Sequence, residues 1–428
     1  MNKLQTYFQS LQTSDPYFNV SFVLMMLMMA LLPFTTFFMW PIGILLMLLC
    51  VFQWNWREKW ENFKQNDGIP YGFFLLGICL IPLLGFINSE NMPIAWRAFE
   101  CHIWFFFTPF IFLTTSPKIW KKQHFDVLLA LFSIGEILYL VFLFANGIHR
   151  SIEFGSISYM YNNFFCYNSH HAYVALYATF VYILIFYSLV LHQHEMPRKR
   201  VILLYLLEVF LSIGVFCMYS RAGILTFVIM HILWSGYAIY CKPSRWKVML
   251  SILIILSAFC AFFIATAPDN RFSMEALTLE SEDGRKPDPR LIIWQAAKDA
   301  SIDNLPWGVG TGDGNDVIVE YYHKNGYWLN SDHSFNAHNQ FLFALLTNGI
   351  PGLIIILLYF YAPLGLAIRN KDILLFSLFL LLFFNCLVEC MFDRRAGVDF
   401  FAIMIPLMTL RCKSSSMYNV QCTMNNVH

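Results

Sequence analysis

An all-α protein that threads repeatedly through a membrane is the architecture this sequence predicts, on three observations. Hydrophobic residues make up 58% of its 428 residues and charged residues only 13%, against about 45–50% and about 25% in ordinary soluble domains. Mean hydropathy is +0.55. The apolar residues fall into about a dozen runs long enough to cross a hydrocarbon core of about 30 Å, which takes about 20 helical residues. So few charges cannot cover a water-facing surface, which excludes a soluble enzyme or a disordered chain. A net charge of +1 gives no pull towards nucleic acid.

The chain opens with about seventeen polar residues. The apolar run that follows exceeds signal-peptide length and has no small-residue cleavage site, so it reads as a retained first membrane helix. The runs lie near 18–38, 41–54, 70–87, 99–116, 125–145, 171–191, 201–219, 222–241, 247–267, 341–368, 372–391 and 398–411. Prolines 33, 41, 82, 109, 351, 363 and 406 fall in or beside them. Membrane helices tolerate such breaks where neighbours satisfy the freed backbone. The eleven cysteines are scattered singly, mostly in apolar runs, and read as small buried hydrophobes.

Lysine and arginine set the orientation. With the N-terminus inside, the inner segments hold Lys3, Arg57, Lys59, Lys64, Lys118, Lys121, Lys122, Arg198, Lys199, Arg200, Lys242, Arg245, Lys247, Arg369, Lys371, Arg411 and Lys413. Outside the long 268–340 segment, the outer side keeps only Arg97, Arg150, Arg221, Arg394 and Arg395. About twelve spans with both termini cytoplasmic follow. Three parts result: helices 1–9 over residues 1–267, a large acidic outer loop over 268–340, and helices 10–12 with a cytoplasmic tail over 341–428. Within the loop, Leu291, Trp294 and Ala297 against Arg290, Lys298 and Asp299 predict a short amphipathic helix from Pro289 to about Asn304. Pro306 and the glycines after it end that helix.

Outward arginines run against the topology bias and are costly near the membrane, so they mark candidate chemistry. Arg221 stands in Met218-Tyr219-Ser220-Arg221-Ala222-Gly223, a tight junction of two long helices. Its planar fork of donors suits a phosphate or diphosphate, although an interfacial arginine can also snorkel to lipid headgroups. Arg97, Arg394 and Arg395 share that ambiguity, and Arg290 could simply pair with Asp288. A second cluster, His333-Ser334-Phe335-Asn336-Ala337-His338-Asn339-Gln340, runs straight into an apolar helix. Histidine is suited to take a proton near neutral pH, and Asn336 and Asn339 could orient it or bind sugar hydroxyls. His333 and His338 are five apart, not the four of a helical zinc pair, and no metal or cofactor is expected. Gly308-Val-Gly-Thr-Gly-Asp-Gly314 lacks the context of a nucleotide loop and reads as a turn returning the loop helix to the bundle. His170 and His171 open one helix from the outer side. Glu389 closes another, just before Asp393-Arg394-Arg395, and an ionisable residue there is a candidate for substrate contact.

The order of these features resembles the O-antigen ligase and polymerase superfamily. They are Tyr219-Ser-Arg221-Ala, then Arg290-Leu-Ile-Ile-Trp294, then Pro306-Trp-Gly-Val-Gly-Thr-Gly312, then His333-x-x-Asn336-x-His338-Asn339 with Gly349-Ile-Pro-Gly352. The similarity is strongest from about 168 to 400. The resemblance implies a GT-C-like inner-membrane glycosyltransferase that is metal-independent and faces the periplasm. Its donor would be a glycan on undecaprenyl diphosphate and its acceptor lipid A–core. His338 would act as general base and Arg221 and Arg290 would hold the diphosphate. Arg97, His170, His171, Tyr219, His333, Asn336, Asn339, Glu389, Arg394 and Arg395 are the further residues expected to bind substrate. A donor activated on a lipid carrier suits a compartment without nucleotide sugars, and a single displacement implies inversion. A polymerase or a protein O-glycosyltransferase of the same superfamily is the nearest alternative. A lipid-glycan transporter is a more distant one, since no paired halves are visible.

Overall fold

A computed structural model describes residues 3–161, 164–167, 169–241, 289–325 and 336–425. Among the described residues every regular element is helical: α1 (Lys3–Leu11), α2 (Pro16–Leu31), α3 (Met39–Phe52), α4 (Trp56–Gln65), α5 (Phe73–Gly77), α6 (Ile81–Gly85), α7 (Met92–His102), α8 (Trp104–Thr114), α9 (Lys122–Glu153), α10 (His171–His192), α11 (Arg198–Cys217), α12 (Arg221–Cys241), α13 (Pro289–Asp303), α14 (Gly314–Lys324), α15 (Gln340–Asn370), α16 (Ile373–Val388) and α17 (Arg395–Asn425), besides a few single turns. The protein is an all-α polytopic membrane protein. The run expected at 247–267, most of the acidic part of the loop, and His333 lie outside the described residues.

Six helical stretches among the described residues are long and apolar enough to cross a membrane: 68–85, 122–153, 171–195, 198–217, 221–241 and 340–370. The pair α3 and α4 would make a seventh, although it bends by 113°. Several of the twelve expected runs are shorter or broken. Residues 68–85 are a chain of single turns around α5 and α6, with Pro70 and Pro82 among them. The run near 99–116 is α8 preceded by a separate α7, which carries Arg97. Apolar side chains point outward all along the bundle, including Ile134, Leu138 and Val141 of α9 and Leu203, Leu206 and Val209 of α11. That is the surface lipid requires and water forbids.

Helix α10 is the centre of the bundle. Its residues from Ala172 to Ile183 are buried on every face, and α9, α11, α12 and α16 pack round it. In hydrocarbon such association comes from close packing rather than transfer out of water. Phe132, Tyr177 and Phe180 close on Phe400 of α17. Phe105, Tyr359 and Phe401 close on Phe392, which anchors the short link between α16 and α17.

Helices α15, α16 and α17 run up and down in succession, so the bundle has two unlike ends. One holds Arg369, Asp372 and Arg411; the other holds His338, Glu389 and Arg395. At the first end Asp67 takes both Arg369 (2.9 Å) and Lys413 (3.0 Å), and Asp372 takes Arg411 (2.8 Å). Three of the cations that the sequence assigned to the inner side therefore gather round two carboxylates.

The helix expected over 341–368 is interrupted at Gly349 (φ 61°, ψ −155°). The glycine-rich turn docks into that break. Val309 and Gly310 donate backbone N–H groups to the carbonyls of Leu346 and Thr347 (both 2.9 Å), and Ile350 N–H donates to Pro306 O (2.9 Å). The expected turn is present, and it is a built joint that fastens α13 and α14 to α15.

Candidate active site

The amphipathic helix forms as expected, over Pro289–Asp303, and its apolar face of Ile292, Ile293, Ala296 and Ala297 is buried. It lies against α14 and the start of α15, which brings Arg290 to the loop that precedes α15. Arg290 Nη2 lies 2.6 Å from Glu389 Oε1, and His338 Nδ1 lies 2.9 Å from Glu389 Oε2. One carboxylate thus joins the two residues that the resemblance assigned to one site. Glu389 is 8% exposed and follows the last residue of α16.

His338 has φ 43°, a left-handed backbone that costs a residue with a Cβ about 1–2 kcal/mol. Its surroundings hold it there. Its N–H donates to Asn336 Oδ1 (3.1 Å), and its carbonyl accepts from Trp294 Nε1 (3.4 Å). Strain kept in place by neighbours is a feature of functional positions. Asn336 also donates through Nδ2 to Asp393 Oδ2 (2.6 Å). Asn339 caps α15, its Oδ1 accepting from the N–H groups of Phe341 and Leu342 (both 3.0 Å). Gln340 Oε1 accepts from Phe392 N–H (2.8 Å), which ties the 336–340 segment to the α16–α17 link.

Burial opposes ionisation of Glu389, but the hydrogen bond from His338 and the charges of His338 and Arg290 outweigh it and hold the carboxyl below its usual value. An ionised carboxylate only accepts, so His338 Nδ1 must donate, which leaves Nε2 as the basic nitrogen whenever the ring is neutral. A depressed carboxyl stabilises the fold above the unfolded value near 4.5, and that stability is lost as pH falls through the lower folded value. In detergent, wild type is therefore expected to outlast Glu389→Gln at pH 7, with the gap in melting temperature closing below about pH 4.5. A gap that widens on acidification would contradict this assignment.

His170 and His171 stack at 4.4 Å at the start of α10. Burial, then the neighbouring His171, lower His170 to about 4, so it is neutral at working pH. Its Nδ1 accepts from Ala172 N–H (3.4 Å). Tyr219 has a left-handed backbone (φ 54°), is buried, and faces Tyr161. It makes the tight turn that starts α12 at Arg221. Gly223, two residues on, lies against Ala175 near the start of α10. Arg221 therefore stands at the same end of the bundle as the His338–Glu389–Arg290 group.

Beside that group lies a cavity of about 1020 Å³ whose lining includes Arg97, His170, Gln340, Asp393, Arg394 and Arg395, but not His338, Glu389 or Arg290. Arg395 lies over the Trp40 ring at 4.8 Å. Sequence reasoning missed two elements. Glu389 was named as a candidate for substrate contact, but not as the link between the histidine and the arginine. Asp313 pins the glycine-rich turn by accepting from Ser89 Oγ (2.8 Å), Glu90 N–H (3.0 Å) and Asn91 N–H (2.9 Å). Nothing in the 88–91 sequence signals that partnership. Among the described residues no group of His, Cys, Asp or Glu is arranged to hold a metal ion.

Fold and site together define a polytopic helical membrane protein with a histidine–carboxylate–arginine centre at one end of its bundle. Residues 206–357, from within α11 to within α15, match the family model described as O-antigen ligase. That segment carries an O-antigen ligase domain and supports membrane glycosyltransferase activity of the ligase or polymerase type. It contains Arg221, Arg290 and His338 and stops short of Glu389. No curated protein matches the chain.

Proposed function

We propose that the protein is an O-antigen ligase, moving a glycan from undecaprenyl diphosphate to a hydroxyl of lipid A–core on the periplasmic face of the inner membrane. The observation that carries the reading is His338 Nδ1 on one oxygen of Glu389 and Arg290 on the other (2.9 and 2.6 Å), inside a bundle with an O-antigen ligase domain. His338 Nε2 takes the proton of the acceptor hydroxyl as its oxygen attacks the anomeric carbon. The bond from that carbon to the diphosphate breaks, and its electron pair leaves on the diphosphate oxygen. The configuration inverts. Glu389 holds the ring in one tautomer and stabilises the imidazolium that forms, the role a carboxylate plays behind a catalytic histidine. Arg290 and Arg221 meet the negative charge growing on the leaving group, where fixed donors act most strongly on the transition state.

Removing such a donor costs about 10²–10³ in rate. Arg290→Ala and Arg221→Ala are each expected to lower transfer by that order in membranes holding wild-type amounts of protein. Glycan analysis of a deletion strain tests the reaction itself. Loss of a ligase leaves long glycan on the lipid carrier and none on lipid A–core. Single repeats reaching lipid A–core would instead identify a polymerase, and unchanged ladders would refute both.

A further inference from the structure

The end of the bundle away from His338 holds a second cluster of reactive side chains. Lys59 of α4 is 6% exposed, and lysine is almost never buried so far without an opposite charge. Among the described residues no carboxylate pairs with it. Its Nζ donates to Gln53 Oε1 (2.9 Å) and to Cys50 Sγ (3.3 Å). Gln53 in turn donates through Nε2 to Asp15 Oδ2 (3.2 Å), and Asp15 Oδ1 caps α2 by accepting from the N–H groups of Tyr17 and Phe18. A run of side chains fixed at the start of α2 thus steers a primary amine onto a thiol. Cys50 and Lys59 stand on the two arms of the 113° bend between α3 and α4.

The pair borders a cavity of about 150 Å³ lined also by Asp15, Asn55, Glu58 and Thr114. Asn55 and Glu58 are exposed, so the cavity reaches the surface. It has room for molecules the size of water, each filling about 30 Å³. Neither acid in the lining takes Lys59: Asp15 holds Gln53 and the cap of α2, and Glu58 accepts from Asn55 Nδ2. A cation against sulfur and a route in for a small oxidant are the conditions under which a cysteine oxidises, and a nitrogen beside the oxidised sulfur condenses with it.

We propose that Cys50 and Lys59 form a modification site for hydrogen peroxide, where oxidation joins the two side chains through a sulfur–nitrogen bond. The sulfur attacks one peroxide oxygen, the O–O bond breaks, and the other oxygen leaves as water with the thiol proton, giving a sulfenic acid. The Lys59 amine then attacks that sulfur, the S–O bond breaks, and the hydroxyl leaves as a second water with a proton from nitrogen. One thiol, one amine and one peroxide become one sulfenamide and two waters. Sulfur loses two electrons and the peroxide gains them. The flexible lysine stem closes the gap from 3.3 Å. The link clamps α4 to α3 across their bend and keeps the sulfur from the irreversible sulfinic and sulfonic acids. A thiol reductant breaks the S–N bond and restores the amine. None of this depends on the transferase reading.

The test treats full-length protein in nanodiscs with hydrogen peroxide, digests it with chymotrypsin and reads the peptides by mass spectrometry. The expected product joins the peptide that ends at Trp60 to the one that holds Cys50, lighter by two hydrogens than their sum. Dithiothreitol should abolish it. Alkylation of Cys50 by iodoacetamide should fall with peroxide and return with dithiothreitol. Lys59→Arg keeps the positive charge but offers no amine, so the joined peptide should be lost and Cys50 should collect as sulfinic acid. Absence of the joined peptide from wild type overturns the proposal, whether Cys50 stays reduced or oxidises to a free acid, and that measurement needs no variant. A Cys50 cross-link that persists in Lys59→Arg overturns it too, because another amine would then be the partner.

Discussion

His338→Asn is expected to abolish glycan transfer while leaving the protein folded in the membrane. Two features of the site make asparagine the decisive substitution. The backbone at His338 is left-handed (φ 43°), a conformation asparagine accepts more readily than alanine. It also keeps the N–H that bonds Asn336 and the carbonyl that meets Trp294. What it lacks is a nitrogen basic enough to take a proton. General-base catalysis contributes about 10²–10⁴ in rate, and a loss of that order is expected from purified protein with saturating donor and acceptor. His338→Ala should lose as much activity and also some stability, because its Cβ is held at the same dihedral without compensation. Activity in His338→Asn within about tenfold of wild type would remove His338 from the base's role.

Gly349→Ala is expected to have the largest effect on folding. An added Cβ would stand 2.0 Å from Pro306 O, and the residue sits at φ +61°. The obstruction is backbone, so no side chain can turn aside. Overpacking costs about 1–3 kcal/mol and the dihedral about 1–2 kcal/mol more. Together they are a large share of the 5–15 kcal/mol by which domains are typically stable. The variant should vanish from a monodisperse peak in detergent or melt well below wild type. Gly236→Ala is the control, because nothing lies within 4 Å of the added atom and alanine favours helix. If both variants elute and melt like wild type, the docked turn is not a structural joint.

These two residues show what the sequence could and could not tell. Composition and hydropathy runs are local properties summed along the chain, so the all-α membrane architecture was legible. So was the helix from Pro289, because its apolar spacing and its terminating proline are both local. The break at Gly349 was not legible. Gly-Ile-Pro-Gly is tolerated inside membrane helices, and only the arrival of Pro306 from a distant segment forces the positive dihedral. The same holds for the site. His338 and Arg290 stood out as residue types in unusual places. Glu389 stood out only as an acid near a helix end. That its two oxygens meet two residues about fifty and a hundred positions away is set by the packing of α13, α15 and α16, which no spacing rule encodes. The site reading also drew on a resemblance, and the matched segment of 206–357 covers Arg221, Arg290 and His338 but not that acid.

The joint at Gly349 has a mechanical consequence. Three backbone hydrogen bonds rivet the 306–310 turn to the flanks of the break, and Asp313 clamps the same turn to residues 89–91. Helix α13, which carries Arg290, therefore cannot swing as an independent flap above α15, which follows directly on His338. Any rocking of this end of the bundle must carry both as one lever, so the spacing between Arg290 and His338 works as a fixed ruler.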